Sequence, residues 1–219
     1  MQLVLRASRY SFRTGILIAT AWEKAAYAMY ARGTLPGPLC PGFLLADEDG
    51  TVGAGAVALC IVLAYAWGDA HFYWSHRLLH TPLLYRTVHK VHHQSFNPDP
   101  LSGLSMHWFE STVYFSAAPL ATWFLPLWGF RLLLKGLLIF PLDGHSGHGR
   151  WDHETSYNHY IHHAKFNWNY GSSPIWDHLC GTNWDPTTAA GDKERTKQAE
   201  VQAQLAGGEL GKEDGTKMD

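Results

Sequence analysis

A chain of 219 residues is long enough to fold as one domain with a sizeable core. Its formal net charge of -2 at pH 7, with no basic patch interleaved with aromatics, excludes a nucleic-acid partner. Cys40, Cys60 and Cys180 are widely spaced, form no CxxC, and read as free thiols rather than a disulfide framework or a thiolate zinc site.

Residues 1–13 carry Arg6, Arg9 and Arg13 but no A-x-A-like site behind a compact apolar core, so no cleavable signal peptide is expected. Residues 14–31 are mostly apolar at helical spacing, interrupted by Glu23 and Lys24, and read as a membrane span or an interfacial helix. Pro36, Pro38, Pro41 and the Asp47-Glu48-Asp49 run make 33–50 a loop, closing a first region at 1–50. Residues 51–67 then run without a charge. Extension through Phe72, Tyr73 and Trp74 reaches bilayer length, with aromatics where the helix would leave the lipid. Residues 111–130 are also uncharged and 132–142 are broken only by Lys135. Pro119, Pro126 and Gly129 divide them into a helical hairpin or two kinked spans. Basic residues near the spans put Arg6, Arg9 and Arg13 on the same side as Arg77, Arg86 and Lys90, opposite the acidic loop. With a hairpin at 111–142, both histidine-rich segments face the cytosol. The expected fold is all-α, a membrane-embedded helical bundle with a cytosolic histidine-rich helical cap. The tail, 187–219, lacks aromatics and reads as disordered or as a short exposed helix.

Six of the 14 histidines fall between residues 71 and 93, and His159-Tyr-Ile-His162-His163 repeats the spacing of His89-Lys90-Val-His92-His93. Residues three and four apart share a helix face. His76 and His80 therefore point one way, and each HxxHH run sets two side chains over one. Eight imidazoles exceed the three or four protein ligands of one tetrahedral ion, which points to two metals. No ExxH motif of carboxylate-bridged di-iron bundles occurs in these clusters. The donors are neutral nitrogens, a set that can hold iron near a membrane surface and leave positions open for dioxygen. Isolated His71, His153 and His178 read as satisfied polar residues. Asp69, Asp143, Asp152 and Asp177 are candidates to receive the ligands' other N–H, or are simply caps and loop residues. Two rival uses of the same histidines are a non-catalytic membrane metal-binding protein and a zinc hydrolase. The clusters lie outside the apolar runs, which counts against metal transport, and no HExxH general base is present, which counts against hydrolysis.

Asp69-Ala-His-Phe-Tyr73-Trp74-Ser-His76-Arg77-Leu-Leu-His80 and the two HxxHH runs together resemble the three histidine boxes of the sterol desaturase branch of the fatty acid hydroxylase superfamily. Asp143-Gly-His145-Ser146-Gly147 is similar to that family's Asp-x-His-Ser-Gly stretch, and Asp177-His-Leu-Cys-Gly181-Thr182 to its closing motif. Met106-His107 with Glu110 resembles its histidine after the second box, although Trp108 stands where Pro is common, and His148 stands where an aromatic is usual. The likeness covers 51–186, taken as the catalytic region. It implies a multi-pass, non-haem di-iron oxidoreductase of the endoplasmic reticulum membrane. Such an enzyme uses O2 to hydroxylate, desaturate or demethylate a sterol or related lipid, with electrons from an NAD(P)H reductase through cytochrome b5. Carried over by position, the iron ligands are His76, His80, His89, His92, His93, His145, His159, His162 and His163, with His107 and His148 as weaker additions. A fatty-acid or sphingolipid hydroxylase of the same superfamily is the alternative. Tyr73, Trp74, Trp108, Trp168 and Tyr170 would wall an apolar slot or anchor the chain at the lipid interface.

Overall fold

The computed structural model describes residues 11–37, 39–45, 50–95, 98–147 and 153–185, the side chains of 11, 12, 43 and 153–155 excepted. Arg6, Arg9, His148, Asp152 and the tail expected at 187–219 lie outside the described residues. Two units part after Thr182. Residues 183–185 are the described part of the second, and every helix belongs to the first.

All regular structure among the described residues is helical. A π-helical turn, Ser11–Ile16, leads into α1, Leu17–Ala31. The long helix α2 spans Ala54–Leu79. It stops where Thr81 must precede Pro82: proline disfavours the helical region for the residue before it, and Thr81 is extended with ψ 147. Pro82 then opens α3, Pro82–Thr87, at a position where its missing N–H costs nothing. Two 3-10 segments follow, His89–Gln94 and Pro100–Ser102, the second closed by a capping box from Asp99. Then come α4, Trp108–Phe115, α5, Ala117–Ala121, and α6, Leu127–Gly144. The last two are α7, His153–Lys165, and α8, Pro174–Cys180.

The core forms where α2 meets α4, α5 and α6. Ala56, Cys60, Ala64 and Gly68 repeat every four residues and make a shallow inner row on α2. The facing helix approaches so closely that a Cβ on Gly129 would lie 2.5 Å from Cys60 Sγ. Phe130, Leu133, Leu134 and Leu137 of α6 are buried in this contact. Three long-range hydrogen bonds pin the surrounding loops: Trp67 Nε1 to the Ala117 carbonyl at 2.7 Å, Tyr30 Oη to Leu125 at 2.7 Å, and Trp128 Nε1 to Leu44 at 3.1 Å. Glu23, one of the charges that interrupt 14–31, meets Arg131 Nε at 2.7 Å, and the guanidinium lies over Tyr27. That pair neutralises two of the few charges set in these mostly apolar helices.

Among the described residues α2 is the one helix long and apolar enough to cross a membrane, and 28% of its most apolar window is buried. Ile61 and Val62 on its outer side, and Ile139 and Phe140 on α6, are exposed. The apolar stretch 111–142 does not fold as two long spans. Ser116 ends α4, a turn at 122–126 follows α5, and only α6 is longer than two turns. At its polar end the inner face of α2 continues as Asp69, Tyr73, His76 and His80, so one helix carries both the core contact and the first histidine box.

Candidate metal centre

The histidine boxes converge into two groups: His76, His80, His89, His93 and His162, and His92, His145, His159 and His163, with the donor atoms of each group within 4.8 Å of one another. All nine sequence-predicted ligands are therefore brought together, and of the histidines outside the groups whose side chains are described, His71, His107 and His178, none joins them. His71 bonds Ser116 Oγ at 3.1 Å, His107 accepts the Phe109 N–H as the cap of α4, and His178 bonds the Pro174 carbonyl.

Helix rotation explains how the boxes divide. In α7 each residue turns by about 100°, so the fourth residue along lies about 40° from the first and the third about 60° the other way. His159 and His163 accordingly share the second group, while His162 reaches the first. In the second box His89 and His93 enter the first group and His92 the second. Its backbone is a 3-10 turn rather than the helix expected from sequence. The spacing thus does not place all three side chains in one group. Each HxxHH run divides between the two.

In the first group the Nε2 atoms form a chain: His76 to His89 at 3.2 Å, His89 to His93 at 3.1 Å, His93 to His80 at 3.2 Å and His80 to His162 at 3.1 Å. In the second they form a triangle, with His145, His159 and His163 separated by 3.1, 3.1 and 3.2 Å. A ring nitrogen has one in-plane lone pair or proton and cannot aim it at two partners. Three nitrogens meeting in a triangle therefore fit a shared cation better than a set of N–H···N bonds. The far side of the rings supports the same conclusion. His76 Nδ1 lies 2.7 Å from the Tyr170 carbonyl, His162 Nδ1 2.7 Å from that of Trp168 and His145 Nδ1 2.7 Å from that of Pro141. A carbonyl only accepts, so these Nδ1 atoms carry the proton and each neutral ring turns a bare Nε2 into its group.

Burial keeps the rings neutral. Desolvation pushes His145 down to about 4, against the pull of its Pro141 bond, and pushes His80 and His163 down to about 2, helped by neighbouring imidazoles. The same cause lowers His89, His92, His159 and His162 well below the usual histidine range. The donors are thus held in the unprotonated form that binds metal.

Two buried carboxylates hold the strap that carries two of those carbonyls. Asp177 accepts from the Tyr170 N–H at 2.9 Å, the Gly171 N–H at 2.7 Å and Thr182 Oγ1 at 2.7 Å. Asp69, on α2, accepts from Ser172 Oγ, from the Ser173 N–H and from Ser173 Oγ. A Cβ on Gly171 would meet the Ser173 carbonyl at 2.3 Å, so glycine is required in this turn. Phe166 and Asn169 adopt left-handed φ values of 64° and 54°, strain that the surrounding bonds hold in place beside the site. Two of the four candidate aspartates thus act on the site through the strap. Asp143 is exposed at the end of α6.

Sequence reasoning missed the role of Glu110. Buried at the start of α4, its Oε1 lies 2.7 Å from His89 Nδ1, and burial pushes its carboxyl well above the usual range. A carboxylate inside the apolar run Trp-Phe-Glu-Ser-Thr-Val-Tyr-Phe is the signal that could have found it. The carbonyl anchors leave no such trace, since a backbone acceptor has no residue identity. Of the aromatics, Tyr73 and Tyr170 are buried against the first group's side, Trp168 contributes its carbonyl, and Trp74 and Trp108 are exposed. A cleft of about 510 Å³, lined by His80, Pro82, Tyr85, Arg86, Phe166 and Asn167, reaches the first group at its most exposed member, His80.

The fatty acid hydroxylase family model matches residues 61–182, more than half of the chain. A Delta(7)-sterol 5(6)-desaturase of Aspergillus fumigatus is 32% identical over 156 residues, 65% of this chain and 45% of that protein. Human fatty acid hydroxylase domain-containing protein 2 is 34% identical over 51% of this chain and 34% of its own length. A rice very-long-chain aldehyde decarbonylase is 32% identical over 63% and 57%. The chain thus spans about half the length, or less, of most curated relatives it matches. No solved structure matches it. The matched stretch contains all nine histidines of the two groups, and the chain belongs to the sterol desaturase branch of the fatty acid hydroxylase family.

Proposed function

We propose that the chain is a membrane-bound oxidoreductase that uses O2 to hydroxylate or desaturate a sterol or related lipid, with one iron in each histidine group. The observation that carries this reading is the pair of convergent imidazole groups, nitrogen-only and kept unprotonated by burial. Donor nitrogens 3.1–3.2 Å apart are close enough to share one ion, and an imidazole-only donor set is one that iron accepts.

Bound there, iron would supply the dioxygen chemistry that attacks an unactivated C–H bond. Hydroxylation consumes O2, two electrons and two protons and yields one alcohol and one water; desaturation yields an alkene and two waters. An NAD(P)H reductase acting through cytochrome b5 would supply the electrons. The protein's own part is to orient and to exclude water. Tyr170 O, Trp168 O and Pro141 O fix three rings, the Asp69 and Asp177 strap holds two of those carbonyls, and Tyr73 and Tyr170 close one side. The exposed apolar faces of α2 and α6 support contact with a membrane. The multi-pass placement in the endoplasmic reticulum with the histidines toward the cytosol rests on the basic residues near the apolar runs and on the family resemblance. The names of the sterol desaturase relatives support a sterol substrate.

The test is lipid profiling of cells expressing the full chain, the His92→Ala variant or the His162→Ala variant. The wild type is expected to produce an oxidised or newly unsaturated sterol, and each variant to lose at least a hundredfold in turnover while still inserting. Turnover retained in both variants overturns the shared-site reading. A product confined to long-chain acyl lipids moves the substrate to the fatty-acid side of the superfamily.

A further inference from the structure

The two groups differ in how their rings are held. Three members of the five-histidine group have an anchored Nδ1: His76 on Tyr170 O, His162 on Trp168 O and His89 on Glu110. In the four-histidine group His145 is held by Pro141 O, while the buried His92 Nδ1 has no hydrogen-bond partner among the described residues. His89 is also the one member of either group whose partner among the described residues is a carboxylate. In the first turn of α4 a carboxyl also suits the helix N-terminus, but that place does not require the 2.7 Å contact with His89. Glu110 Oε2 is buried with no partner among the described residues, the residue is 3% exposed, and a buried carboxyl of this kind costs stability where an apolar side chain would not.

A carbonyl fixes a ring's tautomer and direction and raises its basicity modestly, and a carboxylate raises it more. Burial favours the neutral Glu110 carboxyl in the metal-free chain, while a dication in the group would favour the carboxylate, so that metal binding brings negative charge toward the ion. His89 Nε2 touches both His76 Nε2 and His93 Nε2 in its group, so the effect would bear directly on an ion held there. Resting on the two-metal reading, we propose that Glu110 is a positioning residue that makes the two metal positions unequal: through His89 it strengthens the five-histidine position, which fills first and keeps its metal when the four-histidine position is empty.

The experiment is a titration of the metal-free full chain in detergent with Co2+, followed by the visible bands of the bound ion and by metal analysis after gel filtration. The wild type is expected to take up two equivalents in two resolved steps. His145→Ala should keep the tight step and lose the weak one. Glu110→Gln, which retains shape and an acceptor but not the charge, should weaken the tight step by about 10- to 100-fold and leave the weak step in place. Glu110→Met, which removes the acceptor, should weaken it at least as much, and either variant that keeps the wild-type helical circular dichroism decides the question. An unchanged tight step in a folded Glu110 variant overturns the proposal, as does loss of the tight step in His145→Ala. Uptake of fewer than two equivalents by the wild type overturns the two-metal reading instead, whatever the Glu110 variants do.

Discussion

At the scale of the residue, the dominant fact is that neutral imidazoles are gathered in a largely buried cluster. An ordinary histidine titrates near about 6.5. His145 is lowered to about 4 and His80 and His163 to about 2, with burial as the leading cause. Below about pH 6.5 the unfolded chain takes up protons that the folded chain refuses, so the metal-free protein loses stability as pH falls from there toward 4. Above that range these groups contribute no slope. Denaturant midpoints of the metal-free protein should be lower at pH 5 than at pH 7.5, and equal midpoints would contradict the burial of the rings. Eight of the nine ligand candidates were legible in the sequence because histidine at HxxxH and HxxHH spacing has few structural uses; His145 came from the resemblance of Asp143-Gly-His145-Ser146-Gly147 to the family's stretch. Glu110 as the partner of His89 was not, because the two residues are 21 positions apart and only the fold sets them 2.7 Å from each other.

At the scale of the element, single helices serve both groups. The 100° step between His162 and His163 sends neighbours to different groups, and this division was open to reading from helix geometry alone. The 3-10 form of His89–Gln94 was not, since its sequence carries no proline or glycine and the tertiary contacts decide it. The anchor of His145 depends on a close crossing: a Cβ on Gly103 would meet the Pro141 carbonyl at 2.3 Å and His145 Nδ1 at 3.0 Å. Backbone at that distance has nowhere to go. Gly103→Ala should therefore displace the end of α6, lower the thermal midpoint by several degrees, as expected of a change costing about 1–3 kcal/mol, and release metal from the four-histidine group first. A variant with wild-type stability and full metal content would show that the crossing is looser than these distances require.

At the scale of the whole molecule, α2 joins two environments. Its apolar half presents Ile61 and Val62 outward and packs small residues inward, and its polar half carries Asp69, Tyr73, His76 and His80 into the site. The composition of 51–67 made the first half legible. The stretch 111–142 was legible as apolar and as broken by its prolines, but its division into Trp108–Phe115, Ala117–Ala121 and Leu127–Gly144 rests on packing against α2. The arrangement sets His145, at the end of α6, beside the box carried by α7 and completes the second group. The most direct test of the account is therefore the iron content of the purified full chain and of two variants that each strike one group. Wild type should hold about two irons per chain, and His76→Ala and His163→Ala about one each. Variants that keep both irons, or a wild type that carries stoichiometric zinc and consumes no O2 under reducing conditions, would contradict it.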